Sequence, residues 1–308
     1  MKPLDRSSVH PTQAAPSGVP DNPRQAVLFV LGAVMVLPII NACAKYLVDY
    51  SVFQVTWARY AGHFAFMLVV FVPRSGLALL RSSRLRLQLI RSALHCGSAI
   101  LTFYALRFVS LPTTTAINFT APLIVTALAP LVLGERVRSA HWIAVLIGFV
   151  GALVVIRPGA EGQHWAMLIL LGNAVASALI QLLSRKLAQH DGAATSNTYM
   201  VLVGFVLMSL PLPFVWRTPE NTVDLAVFIG AGLSGGIGHY LLVSAYERAP
   251  AAFVSPFTYA QLLGATLISA VVFDQLPDAW TWAGAAIIVG SGLFLLRQEA
   301  RTPKDQAH

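Results

Sequence analysis

Long runs of apolar residues without a charged side chain are the feature that most restricts the fold of this chain. Eight runs lack Asp, Glu, Lys and Arg altogether: 25–44, 108–134, 139–156, 162–184, 192–216, 225–246, 249–273 and 279–296. A helix needs roughly 20 apolar residues to cross the ~30 Å hydrocarbon core of a bilayer. The runs therefore predict membrane-spanning helices, and composition agrees, since 56% of the 308 residues are hydrophobic and only 11% are charged.

Two further segments complete the set, although each carries or borders a cation. The segment 53–73 contains Arg59, and the segment 88–109 is bounded by Arg91 and Arg107. The sequence thus predicts an all-α integral membrane protein with ten transmembrane helices.

Lys and Arg side chains divide unevenly between the loops that ten spans would place on the two sides of the membrane. Sixteen fall on the side of the N-terminus, and only Arg107, Arg157 and Arg217 fall on the other. Positively charged loops are retained in the cytoplasm, so both termini are predicted to be cytoplasmic. The net charge of +8 then reflects topology and attraction to anionic lipid headgroups, and nucleic-acid binding is not required.

The chain ends have the composition of tails. Residues 1–24 contain five prolines and no apolar stretch of signal-peptide length, which predicts a disordered cytoplasmic tail. Residues 299–308 are predicted to form a second cytoplasmic tail. The partners expected are a small-molecule substrate and the bilayer, and a homodimer is left open.

The sequence also predicts an internal repeat. Shifting the chain by 140 residues brings the third to fifth spans onto the eighth to tenth without a gap, with eight identities in the 56 positions from Leu101 to Ile156. A five-helix unit is odd, so its second copy must insert upside down, as in many secondary transporters. We expect two inverted five-helix repeats, 25–159 and 160–298, with a solute site between them.

Several short motifs follow one another in an order typical of a known family. They are Lys45, Trp57-Ala58-Arg59-Tyr60, Ala121-Pro122, Leu133-Gly134-Glu135, Trp142, the Gly148 and Gly151 pair, and Arg157-Pro158-Gly159. With them the chain resembles the EamA-type members of the drug/metabolite transporter superfamily over about residues 26–297. The second copy departs from the pattern, since Gln275 stands where an acidic residue is expected.

The resemblance implies a secondary transporter that moves a small organic metabolite across the bacterial inner membrane by alternating access, without a cofactor. Three motifs, Gln54 to Tyr60, Arg157-Pro158-Gly159 and Gly238-His239, resemble in particular carriers of vitamin-like or nucleoside-like solutes such as riboflavin or S-adenosylmethionine. An amino-acid or drug exporter of the same family and a non-transporting structural membrane protein remain the alternatives.

Motifs of soluble enzymes give no support for catalysis. No Walker-type phosphate loop is present, and no clustered carboxylates or metal-type His motif occurs. The glycines from Gly230 to Gly238 fit a dinucleotide pattern, but they fall inside a predicted span without the required strand. We interpret them as a helix surface that a neighbouring helix approaches closely, or as a weak point where the helix can bend. We predict neither an enzyme nor a metal site.

Arg59 is the costliest side chain to place, because a cation within a span needs a partner or an aqueous cavity. It either faces the solute pathway, together with His63 one turn on, or extends to the outer interface. His63, His95 and His239 are the titratable side chains within spans. Each either serves transport or simply bonds a neighbouring carbonyl.

Polar and aromatic side chains on apolar helices predict the lining of a solute cavity. Asn41 and Thr120 belong to this polar set, and helix-to-helix hydrogen bonds are the alternative role for any of its members. The predicted substrate-binding residues are Arg59, His63, Tyr104, Asn118, Asn173, Gln181, His239, Tyr240, Tyr259 and Gln261. Amide and hydroxyl groups beside aromatic rings suit a flat organic solute better than an inorganic ion.

Overall fold

The computed structural model describes residues 22–70, 73, 76–133, 139–157, 164–249, 254 and 257–300. Most of the two predicted tails lies outside the described residues, as do Gly134, Glu135, Pro158 and Gly159 from the family motifs. Within the described ranges the secondary structure is helical and no strand occurs.

Twelve α-helices account for most of the described residues, and a short 3-10 helix, Gly76–Leu80, precedes the third of them. They are α1 (Pro23–Tyr46), α2 (Val52–Val70), α3 (Leu85–Ala105), α4 (Leu111–Asn118), α5 (Ala121–Leu133), α6 (Ser139–Ile156), α7 (His164–Leu187), α8 (Ala193–Ser209), α9 (Leu212–Val215), α10 (Thr222–Arg248), α11 (Gln261–Phe273) and α12 (Ala279–Ala300).

Short polar side chains set where several of these helices begin. The side chain of Asn22 accepts a hydrogen bond from the Gln25 N–H at 3.1 Å, and Pro23 occupies the first position of α1. Ser110 and Asn221 cap α4 and α10 in the same way. Such caps pair N–H groups that a helix start would otherwise leave unsatisfied.

Helix length and apolar composition agree with a membrane protein. Four helical stretches are long and apolar enough by themselves to cross a bilayer: Pro23–Tyr46, Leu111–Val132, Trp165–Leu187 and Thr222–Tyr246. Shorter apolar helices include His141–Ile156, Ala194–Ser209, Gln261–Phe273 and Ala279–Leu295. Many large apolar side chains on the outside are exposed, as expected where lipid rather than water covers the surface.

The helix bounds follow the 140-residue offset along the whole chain. Helix α5 maps onto α11 without any shift, and α6 and α12 begin at equivalent residues. Helices α1, α2 and α3 map onto α7, α8 and α10 with differences of only a few residues at their ends. The repeat predicted for the last three spans of each half therefore extends to the first two.

The most extensive contacts between helices follow the same equivalence: where two helices pack closely together, their equivalents also pack together. Helix α1 packs on α10 as α7 packs on α3, and α2 packs on α10 as α8 packs on α3. Helix α5 packs on α7 as α11 packs on α1. In two further contacts, between α2 and α8 and between α6 and α12, a helix packs on its own equivalent. The two halves are therefore joined through an approximate two-fold relation.

A break interrupts each half at the same place. In the first half α4 ends at Asn118 and α5 begins at Ala121, and in the second a turn at Tyr259 and Ala260 precedes α11. Phe119 and Tyr259 are equivalent at the 140-residue offset, and their ring centroids lie 5.0 Å apart in an edge-to-face contact. The two breaks thus meet where the halves are related to each other.

Contacts between loops identify one end of the bundle, which we call the Tyr50 end. The Tyr50 hydroxyl donates to Asp224 at 2.6 Å, and the Lys45 ammonium donates to the Val109 carbonyl at 2.9 Å. The other residues here include Gln54, Arg107, Arg217, Glu220, Arg157 and Asp278, the last two forming an ion pair of 2.5 Å.

The opposite end, which we call the Asp191 end, includes the start of α1 and the end of α10. Buried Asp191 joins the loops before α3 and after α7, accepting hydrogen bonds from Ser82, Ser83 and Gln88. Burial alone would raise the pKa of Asp191, but these hydrogen bonds lower it below its ordinary value. The carboxylate therefore stays charged and holds the two loops together.

Helices α2 and α10 touch through their backbones, which confirms the close approach predicted for the glycine-rich segment. A Cβ atom at Gly62 would lie 2.5 Å from the Cα atom of Gly232, and one at Gly236 would lie 2.6 Å from the Phe66 ring. Without a hydrophobic driving force in lipid, such small residues provide the van der Waals contact between helices.

This contact predicts that Gly232→Ala separates α2 from α10 and lowers the melting temperature of the purified protein. The expected loss is about 1–3 kcal/mol, as for other overpacked interiors. Gly172→Ala is the matched control, because a Cβ atom there meets nothing within 4 Å. A Gly232→Ala protein that melts no lower than the control would contradict the packing described for these helices.

Candidate functional site

A cavity of about 570 Å³ lies between the two halves, and we call it the central cavity. Its volume falls in the range of roughly 300–1,000 Å³ that is usual for small-molecule sites. Its polar lining consists of Asn41, Arg59, His95, Ser98, Thr102, Thr115, Asn118, Asn173, Ser177, Gln181, His239, Tyr246, Thr258 and Gln261. No carboxylate occurs among the described residues that line it, so its formal charge comes from Arg59.

Arg59 lies half-buried on α2 and faces this cavity. Its guanidinium carbon is 5.3 Å from the centroid of the Tyr60 ring and 5.7 Å from that of Phe103. Its Nε atom is buried without a hydrogen-bond partner, and no carboxylate lies within 4.0 Å in the described part of the chain. Aromatic rings and the open cavity accommodate the charge, which is the cavity-facing alternative of the two that the sequence left open.

Histidines lie beside Arg59. The Nδ1 atom of His239 is 2.9 Å from the Gly235 carbonyl oxygen, and that of His95 is 2.9 Å from the Tyr60 hydroxyl. With Nδ1 engaged in both rings, Nε2 is the nitrogen that remains for a solute. His63 is buried behind His239, with 5.3 Å between the ring centroids.

A chain of hydrogen bonds orders the amides on the opposite wall. The Ser98 hydroxyl donates to the Asn173 side-chain oxygen at 2.6 Å, and the Asn173 amide donates to the Asn118 side-chain oxygen at 2.9 Å. Asn173 is only 2% exposed. Because its oxygen and nitrogen are both bonded, the chain fixes the orientation of Asn118 and leaves the Asn118 amide N–H groups for a solute.

Residues at equivalent positions of the two halves meet around the cavity. The pairs are Asn41 and Gln181, Ala99 and His239, Thr102 and Leu242, Asn118 and Thr258, and Ala121 and Gln261. The cavity therefore surrounds the approximate two-fold axis, although the side chains that line it differ between the halves.

The central cavity continues towards the Asp191 end. A second space of about 270 Å³ shares Phe119, Gln181 and Thr258 with it and reaches Thr126 and Leu295. Towards the Tyr50 end, the Lys45 ammonium donates hydrogen bonds to the Leu106 and Val109 carbonyls. The space for a solute in this structure thus extends from the central cavity towards the Asp191 end.

Seven of the ten predicted site residues lie on this path. Arg59, Asn118, Asn173, Gln181, His239 and Gln261 line the central cavity, and Tyr259 lines its continuation. His63 lies one layer behind, against His239.

The structure places Tyr104 and Tyr240 outside the cavity, on exposed faces. Tyr104 packs edge to face on Phe108 with 5.6 Å between centroids, and Tyr240 faces Phe66. Tyr104 is two residues beyond the cavity residue Thr102, which turns it about 200° around the helix. Tyr240 directly follows His239, which turns it about 100°.

The sequence prediction also omitted cavity residues that helical spacing could have revealed. His95, Ser98 and Thr102 lie three or four residues apart on α3, and Ser177 lies midway between Asn173 and Gln181 on α7. Residues at this spacing share one helix face. A search for polar residues on a common face would have added His95, Ser98 and Ser177 and removed Tyr104.

We predict that thiol reagents in water reach the central cavity but not the position of Tyr104. In a background lacking the buried cysteines Cys43 and Cys96, Gln181→Cys and Gln261→Cys should react with a water-soluble maleimide much faster than Tyr104→Cys. Water fills a polar cavity, whereas lipid covers an exposed apolar face. Equal labelling rates at all three positions would contradict this placement.

The amino-acid sequence matches the EamA-like transporter family twice, over residues 24–157 and 164–297. It is also similar to a solved crystal structure at 18% identity, with a TM-score of 0.64 over 90% of this chain and 98% of the other. That likeness concerns the fold alone.

Three curated proteins are similar over most of their length. The riboflavin transporter of Vibrio cholerae is 32% identical over 290 residues, 91% of this chain and 95% of that one. The riboflavin transporter of Rhizobium johnstonii is 31% identical, covering 79% and 81% of the two chains. The S-adenosylmethionine uptake transporter of Rickettsia bellii is 27% identical, covering 76% and 80%. By its two family matches and these relatives, the chain belongs to the EamA-like transporter family.

Proposed function

We propose that the chain is a ten-span carrier built from two inverted five-helix repeats, residues 25–159 and 160–298, in the bacterial inner membrane. Ten apolar segments run alternately between the Tyr50 end and the Asp191 end, and five is an odd number, so equivalent helices point in opposite directions. Among the described residues, more Lys and Arg side chains lie at the Asp191 end than at the Tyr50 end, which supports a cytoplasmic location for that end and for both termini.

Reporter fusions test this topology. Green fluorescent protein fused after His308 should fluoresce, and alkaline phosphatase inserted near Pro219 should be active, because the loop at Pro219 belongs to the Tyr50 end. Insertion near Gly192, at the Asp191 end, is the control and should leave the phosphatase inactive. An active phosphatase fused after His308 would exclude both the ten-span count and the inversion.

We infer that the solute is a flat heterocyclic metabolite of the riboflavin type. The single observation that carries the inference is the central cavity, in which an Arg59 guanidinium without a carboxylate faces a wall of ordered amides. The riboflavin ring system presents a carbonyl oxygen next to a ring nitrogen, a pair of acceptors that suits two guanidinium N–H groups. Similar bidentate Arg contacts with guanine contribute about 1–3 kcal/mol.

The charge of the cavity favours this solute over S-adenosylmethionine. S-adenosylmethionine carries a sulfonium and an ammonium group against a single carboxylate. Even with that carboxylate on Arg59, a net positive charge would remain near it, and the described lining has no carboxylate to offset the repulsion. In a partly desolvated site, like charges at short range cost several kcal/mol at an effective dielectric constant of about 20. A neutral ring rich in acceptors avoids that cost, although a relative of this chain is named for S-adenosylmethionine uptake.

The proposal assigns the chain no catalytic reaction and no ATP hydrolysis. Two observations support alternating access: the central cavity lies between two equivalent halves, and it extends towards the Asp191 end. An amino-acid or drug exporter would use the same framework. A structural membrane protein would have no need of an ordered polar cavity between its halves.

Expression in a bacterium that cannot make riboflavin tests the substrate. We expect growth on limiting riboflavin with this chain and none with an empty vector. Excess S-adenosylmethionine should not slow uptake of labelled riboflavin, because Arg59 disfavours a cation. Accumulation of labelled S-adenosylmethionine without riboflavin uptake would instead identify S-adenosylmethionine as the solute. If uptake of both compounds equals that of the empty vector, an exporter would be the remaining assignment.

Arg59 should account for much of the uptake. Arg59→Gln, at normal abundance in the membrane, is expected to lower riboflavin uptake at limiting concentration about 10- to 100-fold. Arg59→Lys keeps the charge but not the planar fork, so it should fall between Arg59→Gln and the natural protein. The control is Arg81→Gln, far from the cavity. Full uptake by Arg59→Gln would show that Arg59 only supports folding.

A further inference from the structure

Helices α3 and α7 leave a long groove on the outside of the bundle. At the Asp191 end it is a space of about 800 Å³ lined by Arg84, Arg86, Lys186 and His190, which we call the basic cavity. A second space of about 680 Å³, the apolar groove, continues from it along α3. The two meet at Ile90, which lines both.

The basic cavity has the chemistry of a phosphate site. Arg84, Arg86 and Lys186 are exposed, and none has a carboxylate within 4.0 Å in the described part of the chain. Helix α3 begins here with neither a side-chain cap nor an acidic residue in its first turn. An anion in this position would meet three cations, the helix dipole and unpaired N–H groups together.

Asp191 is the nearest acidic residue described, and its charge does not cancel this site. Its oxygens are already occupied by the hydroxyl groups of Ser82 and Ser83, the Ser83 N–H and the Gln88 amide. The carboxylate is buried and points towards those donors. The three cations of the basic cavity thus remain in excess over the one acid.

The apolar groove has the shape and chemistry for a hydrocarbon chain. Its lining includes Leu94, Leu101 and three small residues, Ala93, Gly97 and Ala176. The small residues leave space for a chain between the larger side chains. A Cβ atom at Gly97 would meet nothing within 4 Å. From Ile90 to Leu101 the groove follows α3 for about 16 Å, at 1.5 Å per residue.

We propose that this surface binds an anionic phospholipid, with its phosphate in the basic cavity and one acyl chain in the apolar groove. In such a lipid the charged phosphate is followed by the hydrocarbon chains, and here the basic cavity is followed by the apolar groove. Basic pockets between helices on the cytoplasmic side are a recurrent form of lipid recognition. A free phosphate would occupy only the basic cavity, whereas a lipid would also occupy the apolar groove. The apolar groove therefore favours a lipid over free phosphate.

The site also touches the solute machinery. Ser98 lines both the apolar groove and the central cavity, and its hydroxyl donates to Asn173 at 2.6 Å. An acyl chain in the groove therefore covers the back of the hydrogen-bonded chain that orders Asn118. The lipid would hold α3 against α7, whatever solute the carrier moves.

The test is a lipid titration of the purified full chain in neutral detergent, followed by thermal shift. Phosphatidylglycerol should bind at least tenfold more tightly than phosphatidylcholine with the same acyl chains. The triple variant Arg84→Gln/Arg86→Gln/Lys186→Gln should weaken phosphatidylglycerol binding roughly a hundredfold, since each basic residue near an anionic lipid contributes about tenfold or less. Arg24→Gln/Arg81→Gln/Arg297→Gln removes the same charge at the same end and should change it little.

A second variant tests the acyl chain without altering charge. Gly97→Leu fills the apolar groove and should weaken phosphatidylglycerol binding about tenfold, whereas Gly290→Leu, also placed in open space, should not. Equal losses in both triple variants would indicate nonspecific attraction and overturn the site. Equal stabilisation by inorganic phosphate, or an unaffected Gly97→Leu protein, would overturn the assignment to a lipid.

Discussion

Backbone hydrogen bonding in lipid is the constraint on which the rest of this structure depends. Each N–H and C=O group in the hydrocarbon region needs a partner within the protein, so the apolar runs form helices. Irregular backbone is tolerated only where protein or a water-filled cavity surrounds it. The two breaks described here, at Phe119–Thr120 and Tyr259–Ala260, obey that rule, because both lie against the central cavity and its continuation. Both breaks therefore lie beside the solute path and not in lipid.

The two-fold relation between the halves explains the position of the cavity, and sequence divergence explains its selectivity. Equivalent helices place Asn41 opposite Gln181 and Phe119 against Tyr259. The charged group has no such counterpart, since Tyr199 is equivalent to Arg59 and Gly235 is equivalent to His95. The first half thus contributes Arg59 and His95, and the second half contributes His239 at a position that is not equivalent to His95. A symmetric framework can in this way bind a solute that has two unlike edges.

Apolar runs and the 140-residue offset predicted most of the fold, because both follow from chain composition and spacing. The helix bounds agree with the runs to within a few residues, apart from the breaks at Asn118 and Tyr259 and the end of α8 at Ser209, within the run 192–216. For the site, residue type alone was insufficient. As an aromatic side chain on an apolar helix Tyr104 fits a cavity lining by type, whereas its position two residues beyond Thr102 turns it onto an exposed face. Tertiary contacts supplied the rest: no pattern in the sequence predicts that Asn173 joins Ser98 to Asn118.

Hydrogen bonds join the loops at both ends of the bundle, but different side chains make them at equivalent places. Tyr50 and Asp224 meet at one end, and their equivalents at the other are His190 and Arg84. There the bond is made instead by Asp191, one residue on, to Ser82 and Ser83. In an inverted repeat the halves exchange roles between inward-open and outward-open states. Because the hydrogen bonds at the two ends differ in donors, acceptors and charge, the two states need not have equal free energy. The sequence of these loops can therefore set the resting orientation of the carrier independently of the residues that line its cavity.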